Sequence, residues 1–392
     1  MSKWLGWITL LMVLLSAWLW GQETGQTSGP WVMERSGTTA GLRGIHAVGG
    51  GVAWASGTNG TVLRTEDGGY EWQSCAMPPG AEKLDFRGIW AWDANTAIVM
   101  SSGPGDASRL YKTTDGCSHW TLLFTNPDKD GFWDVLQMTG DKTGLVIGDP
   151  VPGRRYFWKF SIRQYPSYFP ILGTWDRGTT WRPLDTRSVW AAMSKDHVAS
   201  ESIFAASNSS LLELHSPFAW LFVTGGDKNF LHIIQSLGAT PMICKKSCYL
   251  SSETAPTLAS GPTAGGFSIG ANLAESGIPV VVAVGGDYKL PDSSAGSAAT
   301  CVGSMDGIFL KYRCEAATRP PHGYRSAVAW DAAAKAWIAA GTNGSDISYD
   351  DGKTWAPLDN GNWNALSLPW MVGPNGRIAK LDAGRLARPS KN

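Results

Sequence analysis

Thr65-Glu66-Asp67-Gly68-Gly69-Tyr70-Glu71-Trp72 sets a threonine, an aspartate, a small residue and a tryptophan at fixed intervals. The same arrangement returns in Thr113-Thr114-Asp115-Gly116-Cys117-Ser118-His119-Trp120, in Thr174-Trp175-Asp176-Arg177-Gly178-Thr179-Thr180-Trp181 and in Ser348-Tyr349-Asp350-Asp351-Gly352-Lys353-Thr354-Trp355. The chemistry is that of a rigid turn. Hydroxyl and carboxylate side chains satisfy the turn backbone, glycine supplies positive φ, and tryptophan packs back beneath it. One match would be weak evidence, but four, each after a strand-like segment, describe a repeat. Asp67, Trp72, Asp115, Trp120, Asp176, Trp181, Asp350 and Trp355 are therefore read as structural residues.

Each turn belongs to a longer unit containing a short apolar strand. Seven such strands are read at 52–55, 97–100, 144–147, 220–223, 280–284, 336–340 and 369–372. An inner strand is expected to start upstream of each, where an apolar or aromatic residue stands two places before another apolar one, and the position between them is Arg43, Arg87, Trp133, Ser202, Ser268, Arg325 and Asn364. Seven short-stranded units of roughly 45 to 60 residues make an all-β, seven-bladed β-propeller with four-stranded blades. The last unit has a third strand near Arg377 to Leu381 and no fourth, while Trp31 to Glu34 is a strand without a unit. The N-terminal strand is expected to close the last blade and hide the open edges. Units four and five lack a clean turn motif. Lys228 to Pro262 and Ser304-Met305-Asp306-Gly307-Ile308 read as eroded versions, which leaves six or eight blades as alternatives.

The 392 residues carry 33 basic and 33 acidic side chains, and that balance argues against a nucleic-acid binder. With 43% apolar and 17% charged residues, the chain is not of the disordered class. Forty-seven glycines without a strict Gly-X-Y period exclude collagen and, with 21 tryptophans, fit a turn-rich β protein. Residues 1–30 are set apart. Lys3 precedes an apolar run from Trp4 to Trp20 and a polar exit to Pro30, the pattern of an export signal, with a retained N-terminal anchor as the alternative. Residues 31–392 form the expected single propeller domain, exported to the periplasm or secreted. Six cysteines agree with an oxidising compartment: Cys301 and Cys314 could staple a hairpin, and Cys244 and Cys248 a small loop. Zinc at Cys244-x-x-x-Cys248 lacks a second ligand pair nearby, and no cofactor or metal is expected.

The turn motif resembles the Asp-box, or bacterial neuraminidase, repeat. Trp54-Ala55-Ser56-Gly57-Thr58-Asn59-Gly60-Thr61-Val62-Leu63-Arg64-Thr65-Glu66-Asp67-Gly68-Gly69 with Trp72, and Gly323 to Trp355, resemble the photosystem II stability/assembly factor-like group of exported propellers. The resemblance covers about residues 31 to 383 and is poorest in the middle third. It implies a seven-bladed binding platform that, in photosynthetic members, helps assemble a membrane pigment-protein complex. Some relatives carry an oxidoreductase label, and no Gly-rich strand-turn-helix fingerprint supports one here.

Arg43, Arg87, Trp133, Asp134, Tyr324, Arg325 and Asn364 are the candidate binding residues, expected at the axial mouth, with a protein partner or a membrane complex as ligand and the chain a monomer. The alternative is a sialidase-like or other glycoside hydrolase, whose substrate would be a carbohydrate. Three arginines with Tyr324 and Asp134 supply only part of such a site: no Phe-Arg-Ile-Pro segment is present, Phe86-Arg87-Gly88-Ile89 being the nearest echo. A glycosidase needs two carboxylates about 5 to 10 Å apart across a sugar. Asp134, Asp149, Asp227 and Asp287 are the candidates, although the Gly-Asp pairs at the last three read more simply as turns. Scattered histidines and the absence of a Gly-x-Ser-x-Gly elbow give no support to serine catalysis. The aromatic and cationic run Arg154 to Phe169 is read as a strand with a protruding contact loop.

Overall fold

In the computed structural model, residues 29–153, 155–158, 161–164, 167–184, 198–215, 218–236, 248–254, 258–272 and 277–386 are described. They form seven four-stranded antiparallel blades arranged as a β-propeller. Blade one runs Leu42–Gly49, Val52–Gly57, Val62–Thr65, Gln73–Ser74, and blade two Phe86–Ala91, Ala97–Ser101, Arg109–Thr113, Thr121–Thr125. Blade three has Trp133–Thr139, Thr143–Gly148, Ile171–Thr174 and Arg182–Pro183, with a hairpin of Arg155–Trp158 and Ser161–Gln164 inserted before its third strand. Blade four has Leu211–His215, Phe218–Val223, Phe230–Ser236 and Cys248–Thr254, and blade five Gly261–Ala271, Val281–Asp287, Ala298–Asp306 and Phe309–Ala316. Blade six runs Ala327–Asp331, Ala336–Gly341, Gly344–Ser348, Ala356–Asp359. Blade seven takes Ala365–Ser367, Trp370–Val372 and Ile378–Leu381 from the C-terminal end and Trp31–Glu34 from the N-terminal end. The expected closure is present.

The second strands are apolar on both faces because each blade is covered by neighbours on both sides. Val99, Ala283, Ile338 and Met371 are fully buried there, as are Trp54, Trp220 and Trp337 to within 1%. A tryptophan of this kind contributes on the order of 3 kcal/mol of apolar burial. Several also tie blades together: Trp54 Nε1 donates to Asp93 O in blade two, and Trp31 Nε1 to Ser345 Oγ in blade six.

The four repeated turns share one hydrogen-bond scheme. In the first, Thr65 Oγ1 donates to Asp67 Oδ1 at 2.8 Å, the Gly69 N–H donates to Thr65 Oγ1, and the Glu71 N–H to Asp67 Oδ1. Thr113 with Asp115, Thr174 with Asp176 and Ser348 with Asp350 repeat these bonds. The small fifth residue lies against the preceding blade. A Cβ on Gly69 would stand 2.2 Å from the Trp370 ring of blade seven, and one on Gly178 2.2 Å from Ile98 of blade two. In the second turn that position is Cys117, and its contact with the preceding blade is a disulfide to Cys75. The second disulfide joins the directly paired Cys301 and Cys314, the hairpin staple expected from sequence. The segment 304–308 occupies the corresponding place in blade five, where a tight Gly307-Ile308 turn, with φ 62° at glycine, replaces the motif.

One strand assignment is corrected. Ser202 does not lead the inner strand of blade four; Leu211–His215 does. Glu201–Ser202 pairs instead with Gly225–Gly226, which in turn pairs with the inner strand of blade five. Residues 1–28, the Cys244 position and the side chains of 154–166 lie outside the described residues, as does the side chain of Cys248.

Candidate functional site

Four inner strands carry an unpaired extra residue where the register against the second strand shifts, near the strand start in the first three blades and at mid-strand in blade five: between Leu42 and Gly44, Phe86 and Gly88, Trp133 and Val135, and Gly266 and Ser268. The residues at these bulges are Arg43, Arg87, Asp134 and Phe267. A bulge re-aims a side chain out of the regular alternation, and the glycine after each arginine makes room for it. A Cβ on Gly44 would meet Ser56 Oγ at 2.6 Å, and one on Gly88 would meet Asn208 Oδ1 at 3.0 Å.

Three of the four, Arg43, Arg87 and Phe267, line a cavity of about 400 Å³ at the end of the axis where inner strands begin. Tyr324, Ser326 and Asn364 join them from the segments entering blades six and seven, and Tyr288 and Thr342 from the ends of second strands. The four repeated turns, each joining a third to a fourth strand, lie on the opposite face of the ring.

The cavity has a floor. The segment from Ile203 to Ser210, between blades three and four, crosses the axis and bonds to blade after blade. Its Ile203 N–H donates to Asp149 Oδ1 at 2.8 Å, and its Ala205 O accepts from Arg87 Nη1 at 3.0 Å. Ser207 Oγ donates to Ser326 O, and the Leu136 N–H donates to Asn208 Oδ1 at 2.7 Å. Asn208 also donates to Ile89 O, with a φ of 60° that suits asparagine in a turn. Phe204, Ala205 and Ala206 of this segment face the cavity. The Phe204 ring stacks on Phe267 at 4.1 Å and 5°, Phe267 meets Tyr324 edge-on at 4.8 Å, and Tyr288 stands edge-on to both phenylalanines. The site is thus a blind pocket with an aromatic wall and two arginines.

Arg87 is half engaged: its Nε donates to Asp85 Oδ2 at 2.8 Å. Arg43 Nε is buried with no hydrogen-bond partner, as is Thr342 Oγ1. Burial lowers the Arg43 pKa, Asp85 opposes that, and the nearby Arg87 adds to it. Burial likewise pushes the Tyr324 hydroxyl well up, so it is a neutral phenol. No carboxylate is among the residues lining the cavity, and the pocket presents positive charge and unpaired donors beside an apolar wall. Such a surface complements an anionic group attached to an apolar one.

The other expected site residues lie elsewhere. Trp133 is buried, its ring 5.8 Å from Phe124 in the packing between blades two and three. Asp134 is buried below the floor. Loss of solvent and repulsion from Asp149 hold its carboxyl well above the usual range, against the pull of Arg87 and of the Asp149 and Ala205 N–H groups. Burial raises Asp149 to about 6. Arg325 is fully buried and turned into blade six, where Nε bonds Asp346 Oδ2 at 2.6 Å, Nη2 pairs with the same carboxylate, and Nη1 bonds Asn343 Oδ1 and Tyr324 O. A buried guanidinium must be paired, and Asp346 sets its direction. Asp287 accepts from Thr263 Oγ1 and the Lys289 N–H, which is the turn role. Phe204, Phe267 and Tyr288 carry no motif that marks them in the sequence. The pair Gly265-Gly266 before Phe267 is the one local sign of a bulge there.

No family model matches the chain, and no curated protein does. Solved structures do. YCF48 bound to D1 peptide superposes with a TM-score of 0.56 at 14% identity, covering 91% of this chain and 96% of that one. YCF48 from Cyanidioschyzon merolae gives 0.55 at 16% identity over 90% and 98%. Saccharomyces cerevisiae Sqt1 gives 0.50 at 9% identity over 90% and 99%. At such identities the likeness is one of fold: this chain is a propeller built like these.

Proposed function

We propose that this chain is an exported, noncatalytic propeller that binds a protein partner at the axial pocket and serves as an assembly or stability factor for a membrane complex. The observation that carries the reading is the Arg43–Arg87 pair on matching bulges above a closed floor, with Arg43 Nε buried and unpartnered. Pre-aimed donors on rigid strands meet an anionic segment with little ordering cost. The YCF48 structure bound to a D1 peptide supports a peptide-like partner, and the two disulfides among the described residues support an oxidising compartment. Residues 1–30 act, in this reading, as export signal or anchor for the propeller of 31–392, working as a monomer. The turn motifs are those of an Asp-box repeat used as structure. The hydrolase alternative would need facing carboxylates in the pocket, and none lines it.

The test is affinity capture from the native envelope extract by the wild-type protein and by an Arg43→Ala, Arg87→Gln double variant. Arg325 is left in place because its removal would strand Asp346. A membrane-complex subunit recovered with wild type and lost with the double variant, at unchanged circular dichroism, supports the reading. Equal recovery by both proteins would remove the pocket from the account.

A further inference from the structure

Ala205 in the pocket floor lies between the arginines above and Asp134, which is buried with its Oδ2 unpartnered by any hydrogen bond. The Ala205 carbonyl accepts from Arg87, which lines the pocket, and its N–H faces the carboxyl of Asp134 below. Two residues earlier, the Ile203 N–H is held by Asp149. Phe204, between them, supplies the ring that stacks on Phe267 in the pocket wall. Two carboxyl groups, Asp134 buried and Asp149 half-buried, therefore lie under a segment whose upper side is the ligand surface. The charged groups facing Asp134 are Asp149 from its own blade and Arg87 from blade two. Arg87 is itself paired with Asp85 and lies near Arg43 of blade one. The floor brings only backbone at 203–205, and Glu201 at its root is occupied by Thr224 Oγ1 and His232 Nε2, both at 2.6 Å.

We infer that the pocket and this acid pair are linked through a proton: an anion seated on Arg43 and Arg87 is bound together with a proton taken up by Asp134 and Asp149. The inference rests on the proposed anion-binding role of the pocket and adds its regulation. The coupling is electrostatic. In the empty pocket Arg87 stabilises negative charge on Asp134, while burial and repulsion from Asp149 oppose it. An anion on the arginines cancels that help, so the pair becomes more basic and retains a proton. By reciprocity, a protonated pair leaves the arginines more positive and the anion binds more tightly. Asp149 lies at about 6 and Asp134 is raised as well, so the pair holds protons above the usual carboxylate range. Because Asp149 holds the Ile203 N–H, the proton also bears on where the floor, and with it Phe204, is set.

The probe is 3-phenylpropionate, whose carboxylate suits the arginines and whose ring suits the aromatic wall. Isothermal titration of the full chain in two buffers of different ionisation heat measures proton uptake directly. A fraction of a proton taken up per ligand is expected, roughly half near neutrality, with affinity up to about tenfold higher at pH 5.5 than at pH 8. The Asp134→Asn, Asp149→Asn double variant should take up none. Binding without uptake, or uptake unchanged in the double variant, overturns the linkage and spares the site. No binding of the probe overturns the anion-site reading on which it rests. The linkage has a ligand-free readout too. Arg87→Gln should move upward by about one unit the pH at which the fall in thermal stability is complete, the pH at which it begins being set by the unfolded chain, and an unmoved profile would overturn the linkage whatever the probe does.

Discussion

The two faces of the ring treat their carboxylates in opposite ways. On the turn face, the Glu71 N–H and Thr65 hydroxyl lower Asp67, and the side chain and N–H of His119 lower Asp115 to about 2. Asp176 and Asp350 are lowered as well, although partial burial opposes their hydrogen bonds to Thr180 and Thr354. Toward the mouth, burial raises Asp134 and Asp149, and inside the ring Glu213 on the inner strand of blade four reaches about 8, both its oxygens buried without a hydrogen bond. One face uses its acids to hold backbone in place. The other keeps them in an uncomfortable state that stability alone would not select, and such groups cluster where ligands act.

The contrast meets its most severe test at the seam of the turn face. Gly69→Ala places a methyl 2.2 Å from Trp370 at a φ of 96°. A loss of about 3 kcal/mol or more is expected in urea denaturation. Gly140→Ala is the control: its φ is 51° and nothing lies within 4 Å of the added carbon, so about 1 kcal/mol is expected. Comparable losses would show that the seam is not tight. A smaller effect separates the mouth. Asp149 is about 6 when folded, above its unfolded value, so the folded state holds a proton that the unfolded chain releases. Its contribution is complete below about pH 4 and is lost as pH rises through 6, on the order of 2 kcal/mol. Asp149→Asn should flatten that stretch of the stability profile and make the protein more stable than wild type at pH 7.5. A variant less stable at that pH would contradict the raised value. The smallest effect belongs to a single turn. Asp176→Ala removes its bonds to the N–H groups of Thr179 and Thr180 and to two hydroxyls, with about 1 to 2 kcal/mol expected at pH 7 and the difference narrowing as acid protonates wild type.

The blades were legible in the sequence because the turn chemistry is local. Thr65, Asp67 and Gly69 bond within five residues, so their spacing is the structure. Ring closure was legible from an unpaired strand at each end. The mouth was less so. Arg43 and Arg87 could be placed by their offset from the second strand, but the same offset put Arg325 at the mouth, and nothing local shows that Asp346 turns it away. Phe204 was hidden for a related reason. Glu201–Ser202 forms a short strand with Gly225–Gly226, yet the partners of Ile203 and Ala205 just after it lie in blades three and two, far off in sequence. The pocket is made where the repeat is interrupted, and an interruption has no pattern of its own to read.

Blade seven sets an order in time as well as in space. Trp31 and Leu381 are partners in one sheet, although nearly the whole chain separates them. During synthesis the first strand is made long before its neighbour exists, and its exposed edge must wait through six blades. Closing so large a loop is entropically slow, so the finishing step of folding is the meeting of the oldest and the youngest strands. Until it occurs, the inner strands have no complete circle to converge on. The pocket is therefore the last thing the chain acquires, and a truncated product released early would possess blades but no binding site.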